Sequence, residues 1–276
     1  MIKLTDQILT ETIRKRPLDS YKGTYGKVVL IGGNHNFGGA IIMASLATVY
    51  SGAGLTTTIT DASNQTSLHS WLPEAMFADI NDLEQLTQLV LSVDVIVIGP
   101  GLGTDAKALT VLQLVLKLVT LKQTLVIDGS AITLIANHRL IIPQTKYTVL
   151  TPHQMEWQRI SGIAIKDQHP DQNWLVAHQL GATVVLKSHQ TEIYTDTKIY
   201  QNTAGTPAQA TGGMGDTLAG MVGGFCAQFA NQDNAVLAAV FSHSAIANQL
   251  AQCQYVILPH QISQQIPPQF MAKYAN

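Results

Sequence analysis

Short apolar runs recur along this chain, each followed by a turn and then by a stretch of helical character. Lys27-Val28-Val29-Leu30-Ile31, Leu55 to Thr60, Asp94-Val95-Ile96-Val97-Ile98, Leu125-Val126-Ile127, Thr148-Val149-Leu150 and Thr183-Val184-Val185-Leu186 are short and rich in β-branched residues, so they read as strands. Most of them lack the apolar–polar alternation of a half-exposed strand. A strand that is apolar on both faces must be covered on both, which a parallel sheet with crossover helices accomplishes. Helical stretches from about Gly39 to Ser51 and from Ala106 to Val119 supply that cover. The pattern predicts an α/β fold, a three-layer α/β/α sandwich with a mostly parallel central sheet. Thr191 to Ile193 and Lys198 to Tyr200, joined by a Thr-Asp-Thr turn, read as an antiparallel hairpin near the sheet edge. After Gly212 the chain reads helical, first to about Ala230 and then from Asp233 to about Gln252. No linker, charge block or repeat interrupts the pattern, so residues 1–276 are expected to form a single domain.

Charged residues make up 12% of the chain, about half of the ~25% usual in globular proteins. A surface so poor in charge is expected to be covered partly by other subunits, which points to a homo-oligomer. The net charge of -2 excludes the broad basic footprint that nucleic acid requires. Any phosphate ligand is therefore held locally, by backbone N–H groups and one or two cations. Cys226 and Cys253 lie in apolar, helix-like surroundings without CxxC spacing and read as reduced core thiols of a cytoplasmic protein. Neither a signal-type leader nor a membrane-length apolar run is seen.

In open α/β sheets, ligands bind beyond the carboxyl ends of the strands, and here those ends carry unusual loops. Gly32-Gly33-Asn34-His35-Asn36-Phe37-Gly38-Gly39-Ala40 and Gly99-Pro100-Gly101-Leu102-Gly103 allow backbone to approach a ligand closely. Asp128 ends a strand; it either caps the helix that begins near Ser130 or offers its carboxylate to a site. Thr151-Pro152-His153-Gln154-Met155-Glu156 sets a histidine and a glutamate at a helix start, where Glu156 also answers the helix dipole. Lys187, at the end of an apolar strand, calls for an anion. Thr211-Gly212-Gly213-Met214-Gly215-Asp216 then opens a helix. Its N–H groups, at Gly212, Gly213, Met214 and Gly215, suit an anion hole, with Asp216 beside it as a base or merely as a cap. Phosphate cradle and base together are what phosphoryl transfer requires.

With these loops taken together, nearly the whole chain, from about Thr5 to Ile266, resembles the ADP-dependent NAD(P)H-hydrate dehydratases of the ribokinase-like superfamily. The resemblance rests on the Gly-Gly-Asn loop with Phe37-Gly38-Gly39-Ala40, on Gly99 to Gly103, on Leu125 to Gly129, on Thr151-Pro152-His153 with Glu156, on Val185-Leu186-Lys187 with Thr191, and on Ala210 to Asp216. It implies a ribokinase-like sandwich. The implied reaction is repair of hydrated NADH or NADPH in the S configuration, in which ADP phosphorylates the hydroxyl and phosphate then leaves, giving NAD(P)H and AMP. By motif, Ala40, Gly103, His153 and Asp216 would contact the hydrated dinucleotide, and Asp216 would be the catalytic base. Lys187, Ser188, His189, Gln190, Thr191 and Gly215 would contact ADP or AMP. Mg²⁺ would bridge phosphates, with Glu156 reaching it through water. The resemblance also implies a tetramer, and a separate protein for epimerisation, since no epimerase domain precedes this one.

Ser188 stands where the family has glycine, followed by bulky His189 and Gln190, and Gln209 stands where methionine is typical. Two other readings remain open from the sequence. One is a kinase of the same superfamily acting on a hydroxymethylpyrimidine or thiazole alcohol. The other is a nucleotide-binding sensor without turnover, supported by the segment Ser188 to Gln190.

Overall fold

The computed structural model describes residues 1–275, with the side chains of 267–269 excepted. The strands are β1 (Ile2–Lys3), β2 (Lys27–Ile31), β3 (Leu55–Thr60), β4 (Met76–Asp79), β5 (Val95–Ile98), β6 (Thr124–Ile127), β7 (Tyr147–Leu150), β8 (Thr183–Leu186), β9 (Glu192–Tyr194) and β10 (Ile199–Gln201). The main helices are α1 (Gln7–Thr12), α2 (Gly38–Tyr50), α3 (Gln65–Trp71), α4 (Leu83–Ser92), α5 (Ala106–Leu118), α6 (Gly129–His138), α7 (Gln154–Ser161), α8 (Pro170–Gln179), α9 (Met214–Gln228), α10 (Gln232–Leu250) and α11 (Pro259–Gln265).

All strands join one sheet in the order β1-β10-β9-β8-β7-β6-β5-β2-β3-β4. From β8 to β4 every pairing is parallel; β9 runs against both of its neighbours, forming the expected hairpin with β10. Residues alternate between two cores. Val28, Leu30, Val95, Val97, Val126 and Val149 face a layer that includes α2, α9 and α10. Val29, Ile31, Ile96, Ile98, Leu125 and Ile127 face the layer of α4, α5 and α6. Both faces are buried, which is why the strands carry no polar alternation. β4 and the two-residue β1 at the far edge go beyond the sequence reading, since neither is long or apolar enough to stand out.

The chain runs outward from β2 through β3 to β4, then returns to the other side of β2 as β5 and continues to β8. The strand order therefore reverses between β2 and β5, where a crevice opens beyond the strand ends. The glycine loops after these two strands meet there: Gly33 N–H donates to Pro100 O at 2.9 Å, and Asn34 N–H to Gly101 O at 2.7 Å. One expectation is corrected. Cys226 is a core thiol in α9, but Cys253 is exposed; it lies in the turn after α10, beyond the last residues whose periodicity holds them to the core.

Candidate active site

Five parallel strands deliver the loops flagged in the sequence to one edge of the sheet. At its centre, Lys187, just past β8, reaches across to Asp128, just past β6, with Nζ 2.8 Å from Oδ1. The same Oδ1 accepts the hydroxyl of Thr151 at 2.7 Å. Asp128 is almost fully buried and makes no side-chain cap to α6, so the cap reading is overturned and its carboxylate belongs to the site. Burial pulls the Lys187 pKa down, but Asp128 and Glu156 more than offset this and hold it above the ordinary lysine value. The ammonium stays charged.

Lys187 also lies over the start of α9. A Cβ added to Gly215 would sit 3.0 Å from Lys187 Nζ, so glycine here lets the cation approach the helix backbone. Gly213 is the N-cap at φ 93°, where a Cβ would run into Met43. With no side chain at the cap, the first-turn N–H groups of α9 receive no capping oxygen and stay available to an anion. Of the four residues expected to form the hole, Met214 and Gly215 lie in that first turn, while Gly212 and Gly213 form the turn leading into it.

Asp216 follows in the first turn of α9, its carboxylate near its own backbone N–H. Burial raises its pKa, with Asp128 and Glu156 adding repulsion and Lys187 opposing them, so that the carboxyl is pushed up to about 7. A cap or simple surface carboxylate would not be perturbed in this way. A group balanced between acid and base near neutral pH is suited to proton transfer.

His153 caps α7: its Nδ1 accepts the N–H groups of Met155 at 3.1 Å and Glu156 at 3.3 Å. Glu156 reaches back, accepting His153 N–H at 2.8 Å, with its other oxygen 3.5 Å from His153 Nε2. Glu156 is buried, and both oxygens face His153. The histidine ring is half-exposed, and a backbone bridge pairs His153 with Lys187.

A cavity of about 780 Å³ opens from this centre, lined among others by Lys187, Gly215, His153, Val240 and His243. Ser188, His189 and Thr191 line it, whereas the Gln190 amide is held by Gln201 Nε2 at 3.0 Å. Ser188 braces the turn that follows β8: its Oγ accepts Gln190 N–H at 3.1 Å, and its carbonyl accepts the Thr191 hydroxyl at 3.2 Å. On the far side of the centre, Gly103 N–H donates to Ser130 Oγ at 3.2 Å, and Ala40 packs against Gly101. Ala40 and Gly103 thus belong to the crevice between β2 and β5 and not to the cavity beside α10. Of the two readings the sequence left open for Asp128, the site carboxylate is the one that fits. Gln209 and His243, which also line the cavity, were not among the expected site residues, and nothing local marks them.

The family model described as NAD(P)H-hydrate dehydratase matches residues 28–268. A relative from Lactiplantibacillus plantarum, an ADP-dependent (S)-NAD(P)H-hydrate dehydratase, is 58% identical over 97% of this chain and 96% of its own. A ribokinase-like superfamily protein from Enterococcus faecalis superimposes with a TM-score of 0.98 at 49% identity, covering 100% of this chain and 96% of that one. The ADP/ATP-dependent NAD(P)H-hydrate dehydratase from Bacillus subtilis, co-crystallised with ATP and Mg²⁺, superimposes with a TM-score of 0.87 at 26% identity, covering 99% of this chain and 98% of its own.

Proposed function

The chain belongs to the NAD(P)H-hydrate dehydratase family, and from that premise we propose how its residues carry out the family's reaction. It is a hydro-lyase that uses ADP to dehydrate the S-form of hydrated NADH and NADPH, returning NAD(P)H with AMP and phosphate. The observation that carries the mechanism is the Asp216 carboxyl, raised to about 7, at the uncapped start of α9.

The hydrated dinucleotide lies across the crevice between β2 and β5, against Ala40 and Gly103, with its reacting ring beside His153 and Asp216. ADP occupies the cavity along Lys187, Ser188, His189, Thr191 and Gly215. Asp216 accepts the proton of the substrate hydroxyl as that oxygen bonds to the terminal phosphorus of ADP and the bond to AMP breaks. The N–H groups at the start of α9 and the Lys187 ammonium hold the charge on the transferring phosphoryl oxygens. The ring nitrogen's lone pair then expels phosphate, and loss of a ring C–H proton restores the dihydronicotinamide. Asp128 keeps Lys187 in place and charged throughout.

Among the described residues no cluster of three or more His, Cys, Asp or Glu forms a metal cage. That fits Mg²⁺ held mainly by substrate phosphates and water, as is common for this ion, and Glu156 would reach it only through water. When bound, Mg²⁺ neutralises phosphate charge. The low charge content supports a homo-oligomer, in keeping with the tetramer that the family resemblance implies, and a separate epimerase would supply the S-form from its epimer. No helix among the described residues is long and apolar enough to cross a membrane, which supports work in the cytoplasm.

The test is incubation with S-hydrated NADH, ADP and Mg²⁺ while following dihydronicotinamide absorbance. Recovery of NADH with stoichiometric AMP is expected. No recovery by folded protein, or much faster consumption of ATP with a hydroxymethylpyrimidine alcohol, overturns the reading.

A further inference from the structure

Ala40 and Gly103, assigned above to the hydrated dinucleotide, stand on different loops, yet one buried side chain fastens both. Asn64, at the N-terminal boundary of α3, is 8% exposed. Its Nδ2 donates to the Gly33 carbonyl at 2.8 Å and to Thr60 Oγ1 at 2.9 Å. Thr60 gives its own hydroxyl hydrogen to the same carbonyl at 2.7 Å, and Asp61 N–H reaches it at 3.2 Å. A carbonyl oxygen only accepts, so the nitrogen of the amide must be the end that faces Gly33. Oδ1 then lies against the start of α2: a Cβ on Gly38 would fall 2.0 Å from it. Glycine at that position is what lets the amide reach the helix.

Two routes lead from Asn64 to the crevice between β2 and β5. Through Gly38 it holds the first turn of α2, which carries Ala40. Through Gly33 it holds the paired glycine loops, where Gly33 and Asn34 N–H donate to Pro100 and Gly101. Asn34 Oδ1 accepts the N–H groups of Asn36 at 3.0 Å and Phe37 at 3.1 Å. The Nδ2 end of Asn34 lies against Gly103, where a Cβ would come within 2.5 Å of it. Both walls of the crevice therefore hang on one amide, whereas Lys187 on the ADP side is held by Asp128. Resting on the assignment of this crevice to the hydrated dinucleotide, we propose that Asn64 is a positioning residue for that substrate, fixing the spacing of the two walls through Ala40 and Gly103. A displaced wall weakens contacts made alike in the ground and transition states, which raises KM and leaves kcat nearly unchanged.

The test compares wild type with Asn64→Ala, Gly38→Ala and the double variant. Thermal melts verify that each is folded, calorimetry reads ADP affinity, and steady-state kinetics with S-hydrated NADH at saturating ADP and Mg²⁺ read the rest. Asn64→Ala is expected to raise KM for the hydrate about tenfold, below the ~100-fold that a full ångström of misplacement can cost. Its kcat and its Kd for ADP stay within about twofold of wild type. Gly38→Ala drives its Cβ into the amide and should raise the same KM, yet add nothing further in the Asn64→Ala background, because the group it displaces is gone. A lowered Tm with the hydrate KM unmoved would make Asn64 a scaffold residue and overturn the proposal. An equal loss of ADP affinity, or KM increases that multiply in the double variant, would also overturn it. With wild type active, those outcomes leave the dehydration reaction standing; wild type that binds ADP but does not turn over the hydrate would overturn the reaction and this role together.

Discussion

Asp216→Asn should stabilise the ligand-free protein, and the gain should grow with pH. Asparagine keeps the shape of the protonated carboxyl but never ionises, so it removes the cost of holding a carboxylate near Asp128 and Glu156. The rise from 3.8 to about 7 is roughly three units, or about 4 kcal/mol at ~1.36 kcal/mol per unit. Solvent at the open cleft screens part of this, leaving about 2–3 kcal/mol. Because the folded pKa lies above the unfolded one, the protonated group's contribution to stability is complete below about 3.8 and is lost as pH rises through about 7. The variant should therefore match wild type near pH 3.5, exceed it by about 1 kcal/mol at pH 5, and exceed it by the full amount at pH 8.5. For 276 residues the unfolding entropy is about 0.6 kcal/mol per degree, so the Tm gain at pH 8.5 is about 4 °C. Thermal denaturation at these pH values reads it directly, with hydrate turnover abolished in parallel. A gain that is equal at pH 5 and 8.5, or a variant that melts lower at pH 8.5, would refute the raised carboxyl and the electrostatics assigned to the site.

In wild type, kcat/KM for the hydrate should rise with pH to a plateau with a midpoint near 7, since Asp216 must be ionised to accept a proton; a flat profile from pH 5 to 8 would count against it. Lys187→Met leaves Asp128 buried without its cation and should lower stability by about 3 kcal/mol, while moving the acidic limb of that profile to higher pH, because Lys187 is the group that lowers the Asp216 pKa. Gly220→Ala should lower stability by about 3 kcal/mol in urea titration: its Cβ would sit 2.0 Å from the Ala44 carbonyl, where α9 crosses α2 and Thr48 Oγ1 donates to Gly220 O at 2.8 Å. Gln190→Ala should leave ADP affinity within about twofold, as that amide is turned to Gln201 and off the cavity wall.

Local pattern was enough to read the strands and most helices on the site side of the molecule. The run Lys27 to Ile31 becomes β2 and Leu55 to Thr60 becomes β3, and the helix expected from Ala106 to Val119 runs from Ala106 to Leu118. Continuous burial on both faces leaves a mark in each strand that needs no knowledge of its neighbours. The glycine loops were legible for a similar reason, because a backbone against which another part of the chain packs closely excludes side chains at that point. At the start of α9, a Cβ on Gly213 would meet Met43 and one on Gly215 would crowd Lys187. β4 escaped notice because Met76-Phe77-Ala78-Asp79 is an outer strand with an exposed first residue, so less of it needs to be apolar.

What each titratable residue does was a different matter. The sequence by itself determined the α/β architecture, the edge of the sheet where chemistry occurs, and the residue types available there. Only the tertiary structure decided that Asp128 answers Lys187, 59 positions away, instead of capping its own helix. It also decided that Glu156 is spent on His153 and that the Asp216 carboxyl is raised to about 7. The physical reason is range. Strand and helix formation follow from periodicities of two and 3.6 residues within one segment. A pKa or an ion pair depends on which charges and dipoles lie within a few ångströms, and in a parallel sheet those neighbours are brought in by crossovers from distant parts of the chain.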